Sequence, residues 1–531
     1  MIRRNTQTTA YWRESFKINL DDLEYLGNYL LEKETPQTSE ALTLALIEYR
    51  CQREESKIRS ELSKGEIYQP SKAYRTGQQV VFPAFEYTLG TITSVRKGSN
   101  PEHGEFDVVQ VMLEGQAEPR EFASSLKTAH RLSRTDGETV ETGERLQTPR
   151  DLYSQYGGSV RKALVDQLRA STQPAFVQDG DQWLTREALV EVHVGHLNIA
   201  EALIEMKTQP ITTTVLLTEM GLPTEVPEHL RRFSTNAGLR QDERFDDVGS
   251  GTEPSWYLRR LQPPEVWQTP SALRYEPIPY DRLALGVEML QQEWELDDEW
   301  STDGISVDTP MVVPTITLNL IFPHLRSGTL PLSGRAQGFF PRGLGRSTMI
   351  TLVDGRWGAR FAAFVCHEGR YIAGLGGWLE QHKLPVGAII TLERTREPLE
   401  YVVDFRPRRP RREWSRTAEI RDGELAFALQ KQSINCDYDE HLTVAEISPG
   451  ALDAYRQTLA TERVPLSRLV RQLAQELAGK SPQGTVHAKT IYSAVNLVRR
   501  SPPGPIFAIL ATDSTLRSMS GGYWAMAVRA S

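Results

Sequence analysis

Five arginines crowd one short segment of the chain, Arg406-Pro-Arg-Arg-Pro-Arg-Arg412. A guanidinium stays charged at any physiological pH and can donate two parallel hydrogen bonds to one phosphate. The prolines favour an extended backbone, which would set the arginines out along a line. The segment therefore predicts a surface that binds a polyanion, along its backbone or in a narrow minor groove. The other interpretation is a solvated linker between domains. The arginines concerned are Arg406, Arg408, Arg409, Arg411 and Arg412.

The charge distribution favours local binding of a polyanion. The net charge of the 531 residues is −8, which excludes a protein that coats nucleic acid with its whole surface. Residues 288–308 carry acids and no base, whereas residues 406–416 carry six arginines and one acid. Because electrostatic screening acts over about 10 Å, a basic cluster can bind phosphate within a chain of negative net charge.

Short strand-like runs stand directly before the arginines and predict the element that positions them. They are separated by an Asp-Gly turn at Asp354-Gly355, a helix-like piece around Trp378–His382, and the turn Pro385–Gly387. This spacing predicts a small closed or nearly closed barrel over residues 310–416, arginine segment included. The strand-like runs are 349–353, 360–365, 389–393 and 400–405.

The order of these pieces is strand, Asp-Gly turn, basic strand, strand, Gly377-Trp378 helix, Leu384-Pro-Val-Gly and strand. It resembles the DNA-binding pseudobarrel of plant transcription factors, which is shared with the effector domain of a type II restriction enzyme. The resemblance implies that two loop arms beside the barrel read the major groove. By analogy, one arm would carry Arg356, Trp357 and Arg360, and the other would carry Arg394 and Arg396.

Residues 150–266 predict a winged helix-turn-helix domain with an N-terminal extension, because three helical patterns precede two strands. The strands Asp242-Glu-Arg-Phe245 and Trp256-Tyr-Leu resemble the HARE-type helix-turn-helix domains of chromatin proteins, restriction endonucleases and the bacterial polymerase delta subunit. The resemblance implies nucleic-acid contact, for which Arg231 and Arg232 are candidates on the third helix. Contact with a protein, or simple solvation of the helix by these arginines, is the alternative.

A similar order of elements predicts a second winged-helix-like domain over residues 440–531. The helix His487–Arg500 is followed by Pro502 and then by two predicted strands, Ile506–Ala511 and Tyr523–Val528. The basic contacts of this domain would be Lys489, Arg499 and Arg500. Two modules of this kind in one chain favour work on nucleic acid.

The N-terminal part predicts two further domains. Leucine-rich helical patterns broken at Thr35-Pro36 indicate a helical hairpin over residues 1–66. Residues 67–134 predict a small SH3-like barrel, in which Gly77-Gln-Gln-Val-Val-Phe-Pro83 resembles the polymerase-interacting barrel of CarD-like transcription regulators. That resemblance implies RNA polymerase as a partner, and a structural barrel with another partner is the alternative.

An acidic helix is predicted over residues 280–309, before the barrel. Its buried side would hold Leu283, Leu285, Met289 and Leu290. A solvated helix is one interpretation, and binding of a basic partner or mimicry of nucleic acid is the other.

Catalytic and metal-binding patterns are weak. Glu205-Met-Lys207 resembles the end of a nuclease motif but lies on a helical pattern, and Asp437-Tyr-Asp-Glu-His441 has the residue types of a metal site at an acidic turn. Three widely separated cysteines form no zinc or disulfide pattern. We therefore predict no enzyme, no cofactor and no metal. No apolar run reaches the length of about eighteen residues that a membrane span needs, and no signal core follows the N-terminus, so we expect a cytoplasmic protein.

Together these patterns predict an α+β multidomain protein with a helical hairpin, an SH3-like barrel, two winged helix-turn-helix domains and one DNA-binding-type pseudobarrel. The predicted function is binding of duplex DNA, as a transcriptional regulator. The alternative function is a protein-interaction scaffold associated with RNA polymerase or with a restriction or defence complex, and a nuclease is a third possibility.

Overall fold

The computed structural model describes residues 4–82, 85, 87–116, 118–128, 146–251, 253–301, 313–421, 423–442, 444–445 and 449–527. The fold is a mixed α and β one, as predicted. The chain divides into two compact units, Met1–Glu191 with Pro223–Ala237, and Val192–Leu222 with Gly238–Ser531. None of the described helices is long and apolar enough to cross a membrane.

The first unit contains a helical core, a small hairpin and a separate sheet. Leucines at helical spacing are buried against one another, among them Leu26, Leu42 and Leu164. A capping box formed by Asn19 and Asp22 starts the first helix. In chain order the elements are α1 (Leu20–Lys33), β1 (Gln37–Thr38), α2 (Ser39–Leu62), β2 (Glu66–Ile67), β3 (Gln79–Phe82), β4 (Thr88–Asn100), β5 (Gly104–Leu113), β6 (Arg120–Ser124), α3 (Pro149–Ala170), β7 (Phe176–Asp179) and β8 (Gln182–Thr185).

Strands β2 to β6 form one five-stranded sheet in the order β2-β3-β4-β5-β6. Alternate residues of these strands, such as Val80, Phe82 and Val111, are buried on one face. The strands expected in this region are therefore present. The smaller sheet pairs β1 with β8 and β8 with β7.

A helix–strand–helix–helix–hairpin module follows. Its three-stranded sheet has the order β10-β11-β9, and the indole of Trp256 is buried and donates to the Thr213 hydroxyl. Helix α6 crosses from one compact unit into the other. The elements are α4 (Val194–Lys207), β9 (Ile211–Thr212), α5 (Thr213–Glu219), α6 (Glu228–Gln241), β10 (Phe245–Asp247) and β11 (Ser255–Leu258), followed by the short α7 (Pro264–Trp267).

The predicted acidic helix covers only part of the predicted range 280–309, of which 302–309 lie outside the described residues, and only some of its acids are exposed. Helix α8 spans Val287–Leu296, and the acids at its end, Asp298 and Glu299, are 3% and 1% exposed. Of its predicted buried side, Leu283 is instead 94% exposed. Glu293 and Glu299 are buried against basic side chains of the same unit, whereas Glu288 and Glu295 are exposed.

Seven strands form the nearly closed, barrel-like sheet that was predicted before the arginines. Their order is β12-β17-β18-β14-β15-β16-β13, and inward residues such as Leu352, Ile390 and Val403 are fully buried. Only the pair β14–β18 is parallel within this order. The elements are β12 (Thr315–Asn319), α9 (Phe322–Ser327), β13 (Leu330–Pro331), α10 (Gly334–Gln337), β14 (Thr348–Asp354), β15 (Arg360–Cys366), β16 (Tyr371–Ala373), α11 (Gly376–His382), β17 (Ile389–Arg394) and β18 (Glu400–Phe405).

The arginine segment begins a long β-ribbon. Strand β19 (Pro407–Arg421) pairs antiparallel with β20 (Glu424–Cys436), from Arg421 opposite Glu424 to Arg411 opposite Ile434. The short β21 (Val444–Ala445) adds a parallel edge. Within the arginine segment, Pro407, Arg411 and Arg412 are therefore paired with a second strand, and the register shifts between Pro407 and Arg411.

The C-terminal module repeats the element order of the α4–β11 module. Its sheet has the order β22-β24-β23. The prediction of a strand over Ile506–Ala511 is wrong, because these residues lie in helix α15. Pro503 takes a first-turn position of this helix, and the apolar run is buried on nearly all sides. The elements are α12 (Pro449–Thr461), α13 (Leu466–Gly479), β22 (Thr485–His487), α14 (Ala488–Val498), α15 (Pro503–Thr512), β23 (Leu516–Ser518) and β24 (Tyr523–Met526).

Candidate nucleic-acid interface

The turn between β14 and β15 is built around the buried carboxylate of Asp354. The backbone N–H of Arg356 donates to it at 2.8 Å, and His382 Nε2 lies 2.9 Å from its second oxygen. Burial alone would raise the pKa of Asp354, but these hydrogen bonds hold it below its ordinary value. The turn is therefore held by contacts to the carboxylate of Asp354 from within the barrel.

An exposed indole covers this hydrogen-bonded pair. The ring of Trp357 is stacked on the imidazole of His382, with centroids 4.3 Å apart. Trp357 is nevertheless 59% exposed. One face of the indole is thus supported by the protein while much of the side chain faces solvent.

Arg356 connects the turn to the start of the ribbon. Its Nη2 donates to the Phe405 carbonyl, its Nε lies 2.7 Å from Asp404, and its guanidinium lies over the Phe405 ring at 5.1 Å. Because Arg406 follows directly, the barrel turn and the arginine segment are contiguous in the structure. We call the turn 354–360 together with the exposed part of the ribbon, 406–416 and 429–434, the barrel–ribbon surface.

The first two arginines of the ribbon share one carboxylate. Arg408 forms an ion pair with Asp437, and Arg406 lies 3.6 Å from the same side chain. Arg406 is 82% exposed on its side chain. Two positive charges therefore face one negative charge, and the pair retains a net positive charge at the surface.

The remaining three arginines of the segment are exposed. Arg409, Arg411 and Arg412 form no ion pair with the residues that the structure describes. Arg411 stands opposite Ile434 and Arg412 opposite Ser433, so neither has a carboxylate as its cross-strand neighbour. Their charges are available to a ligand.

Aromatic and basic side chains meet further along the ribbon. Trp414 pairs across the strands with Lys431, whose Nζ lies 5.1 Å from the centre of the indole. Trp414 is 64% exposed. Because alternate residues share a face, Arg412, Trp414 and Arg416 lie on one side of β19 and Glu413 lies on the other.

The other predicted barrel arginine, Arg360, lies at the start of β15. Its side chain is 67% exposed and lies 3.1 Å from Glu400. Arg360 is therefore at the surface with one carboxylate neighbour. Of the second predicted arm, Arg394 is exposed but donates to the Phe339 carbonyl and stacks over the Phe339 ring.

Arg231 and Arg232 lie in the part of α6 that belongs to the first compact unit. Arg231 Nε donates to the Val226 carbonyl at 3.1 Å, and Arg232 lies 2.7 Å from Glu228 one helical turn earlier. Both are half-buried. The barrel–ribbon surface is built from residues of the second unit.

The predicted contacts Lys489 and Arg500 require correction. Lys489 is 9% exposed and lies 2.8 Å from Glu295 and 3.1 Å from Asp439. Arg500 is 5% exposed and contacts Asp298 and Glu299 at 2.7 Å. Both cations are held by internal carboxylates, so neither is available to a phosphate.

Arg499 is half-buried and donates to the Val464 carbonyl at 3.0 Å.

Burial alone would raise the pKa of Glu299, but Arg500 and His324 lower it to about 2. The C-terminal module therefore contributes a buried ionic network in place of a basic surface.

The β-hairpin of the α4–β11 module also has an internal role. The Val248 carbonyl accepts a hydrogen bond from Met349 N at 3.0 Å. A Cβ on Gly343 would lie 1.8 Å from the Gly249 carbonyl oxygen, and one on Gly345 would lie 1.7 Å from that of Asp247. The hairpin therefore packs against the start of β14. The approach is so close that only glycine fits at Gly343 and Gly345.

The nuclease-like motif at 205–207 and the possible metal-binding motif at 437–441 take part in ion pairs. Asp437 contacts the ribbon arginines, and Asp439 contacts Lys489. In the described ranges of the chain, no three His, Cys, Asp or Glu side chains are grouped as a metal ion requires. Glu205, from the nuclease-like motif, lies on α4 and pairs with Arg260 at 3.0 Å.

Sequence reasoning missed two features of the surface. The position of Lys431 beside Trp414 follows only from the pairing of β19 with β20. The support of Trp357 by His382 and Asp354 follows only from the packing of α11 on the barrel. Trp414, two residues after the arginine segment, was the available signal in the sequence.

Comparison of the chain with protein-family models, curated proteins and solved structures gives no match. The function is therefore argued from the geometry of the barrel–ribbon surface.

Proposed function

We propose that this protein binds duplex DNA through the barrel–ribbon surface. The observation that carries the proposal is the exposure of Arg409, Arg411 and Arg412 on β19, where Arg411 and Arg412 are paired with β20. Because β20 already orders the backbone of Arg411 and Arg412, binding does not have to order a flexible segment there. Each guanidinium is a donor for phosphate oxygens or for the edge of guanine.

The shape of the ribbon supports duplex DNA as the partner. The major groove of B-DNA is about 12 Å wide and admits a two-stranded β-ribbon. Strands β19 and β20 form such a ribbon, and its exposed part joins the barrel at Phe405. Phosphate contacts from the arginines would set the position of the ribbon, and the side chains of one face would contact base edges.

The resemblance of the barrel to the plant transcription-factor pseudobarrel favours regulation of transcription as the cellular role. Lys489 and Arg500 are not part of the proposed DNA-binding surface, because both side chains are buried in ion pairs. Mapping the occupancy of the protein on the genome tests the role: enrichment at promoters supports regulation, and uniform occupancy contradicts it.

The salt dependence of binding tests the proposal. If three arginines neutralise three phosphates, the logarithm of the association constant falls by about 2.7 for each tenfold rise in salt. Affinity for a pool of labelled duplexes would then fall about fortyfold between about 50 and 200 mM salt. Fluorescence anisotropy of the labelled duplexes measures this affinity. Absence of binding at low salt, or binding that does not respond to salt, would contradict the proposal.

A further inference from the structure

Two exposed tryptophans lie at opposite ends of the arginine segment. Trp357 lies next to Arg356, which contacts Phe405 immediately before the segment, and Trp414 lies two residues after it. They are 59% and 64% exposed. An indole of this size left in water is a large apolar surface, and both stand beside guanidinium groups.

Each indole is held in place by the protein on one side. His382 stacks on Trp357 and is itself fixed by Asp354, and Lys431 lies over Trp414 from the neighbouring strand. A ring that is already oriented loses little side-chain freedom when a ligand stacks on it. Both therefore have the form of a prepared stacking platform.

The chemistry around the rings favours a nucleobase over an apolar protein side chain. Trp414 shares its face of the ribbon with Arg412 and Arg416 of the same strand and with Lys431 across the strands, and none of these neighbours is acidic. Positive charge along a backbone, with aromatic rings at intervals, is how proteins bind nucleic acid whose bases are unpaired. Bases inside an intact duplex present no free face to such a ring.

The spacing of the platforms sets the length of the ligand. At about 3.3 Å per residue, Trp414 lies at most roughly 30 Å from Phe405, since the pairing of β19 is irregular between Pro407 and Arg411. A stacked strand rises about 3.4 Å per nucleotide, so this distance corresponds to about nine nucleotides. The arginines lie between the platforms, where phosphates would pass.

We propose that the barrel–ribbon surface recognises DNA in which a duplex is joined to unpaired bases, with Trp357 and Trp414 stacking on those bases. This inference rests on the proposed binding of duplex DNA and names the form of DNA that the same surface prefers. The preference needs no base sequence, because every base has a face on which an indole can stack.

The test compares an intact duplex with the same duplex carrying a single-stranded tail of about ten thymidines, at one salt concentration. The tailed duplex should bind about tenfold more tightly for each base that stacks on an indole. The ratio of the two affinities should fall about tenfold in W357A and in W414A, and towards one in the double variant W357A/W414A. Trp414→Phe should keep most of the ratio, because it keeps a stacking ring.

Trp294→Ala is the matched control. Trp294 is 52% exposed and lies under Arg335 at 4.0 Å, but it stands on α8, away from the arginine segment in the chain. The ratio should be unchanged in this variant. Equal affinity for the two ligands in the native chain, or the same fall in W294A, would overturn the inference. Failure to bind the intact duplex at all would instead overturn the proposed function.

Discussion

Two pairs of neighbouring arginines look alike in the sequence and have opposite environments in the structure. Arg411 and Arg412 stand on the ribbon, exposed and with no carboxylate opposite them. Arg500 is buried between Asp298 and Glu299, and Arg499 is bonded to a backbone carbonyl. An arginine pair therefore indicates a binding surface only where no carboxylate of the same fold reaches it.

The largest effect should come from breaking the buried pair. Replacing Arg500 by alanine leaves Asp298 and Glu299 buried without their cation, which costs about 3–5 kcal/mol of unfolding free energy. Denaturant unfolding of the full chain measures this loss. Arg468→Ala removes an exposed arginine of the same module and should change stability by less than about 0.5 kcal/mol. Similar losses for the two variants would contradict the assigned burial.

This contrast shows where sequence reasoning ends. Asp298 and Arg500 are 202 positions apart in the chain, so no local pattern connects them. The barrel strands were predictable because alternation and turn residues are local signals. The helix at Ile506–Ala511 was not, because a short apolar run buried on all sides has the same composition in a strand and in a helix. Of the surface itself, the arginines were visible in the sequence, and the pairing that exposes them was not.

The second prediction concerns the exposed pair. The double variant R411A/R412A should weaken binding of duplex DNA and reduce the salt slope by about two, since about one phosphate contact is lost for each arginine. Its unfolding free energy should stay within about 0.5 kcal/mol of the native value, because neither side chain is buried. Anisotropy and denaturant unfolding measure the two quantities. The matched control is R468A/R517A, two exposed arginines of the C-terminal module. An equal loss of affinity in the control would assign the effect to net charge alone.

The third prediction concerns pH, which should affect the stability of the C-terminal module but not the charge of the ribbon arginines. Burial, with His441 and Lys489 nearby, lowers the pKa of His487 to about 4. The unfolded chain therefore binds a proton more readily than the folded chain below the ordinary histidine pKa of about 6.5. Stability should fall as the pH drops from about 6.5 towards 4, and the ribbon arginines stay charged throughout.

Thermal unfolding at a series of pH values checks this behaviour. His487→Asn keeps an acceptor for the Lys489 backbone N–H and removes the titrating group, so the melting temperature should depend less on pH in this window. His193→Asn, at the exposed start of α4, is the control and should keep the native pH dependence. An unchanged profile in H487N would show that other groups dominate acid unfolding.

The smallest effect should come from removing the carboxylate that lies beside the first two ribbon arginines. Asp437→Asn removes the carboxylate that Arg406 and Arg408 share, and so adds about one positive charge to the surface. We expect duplex affinity to rise a few-fold at low salt, with a steeper salt slope, because the two guanidinium groups no longer have an internal partner. Stability should change by about 1 kcal/mol or less, since Asp437 is half-buried but both of its arginine partners are exposed. Glu419→Gln, which removes the carboxylate paired with Arg421 at the other end of β19, is the control. If D437N binds no more tightly than E419Q, the arginines beside the barrel do not contact DNA, and the surface begins only at Arg409.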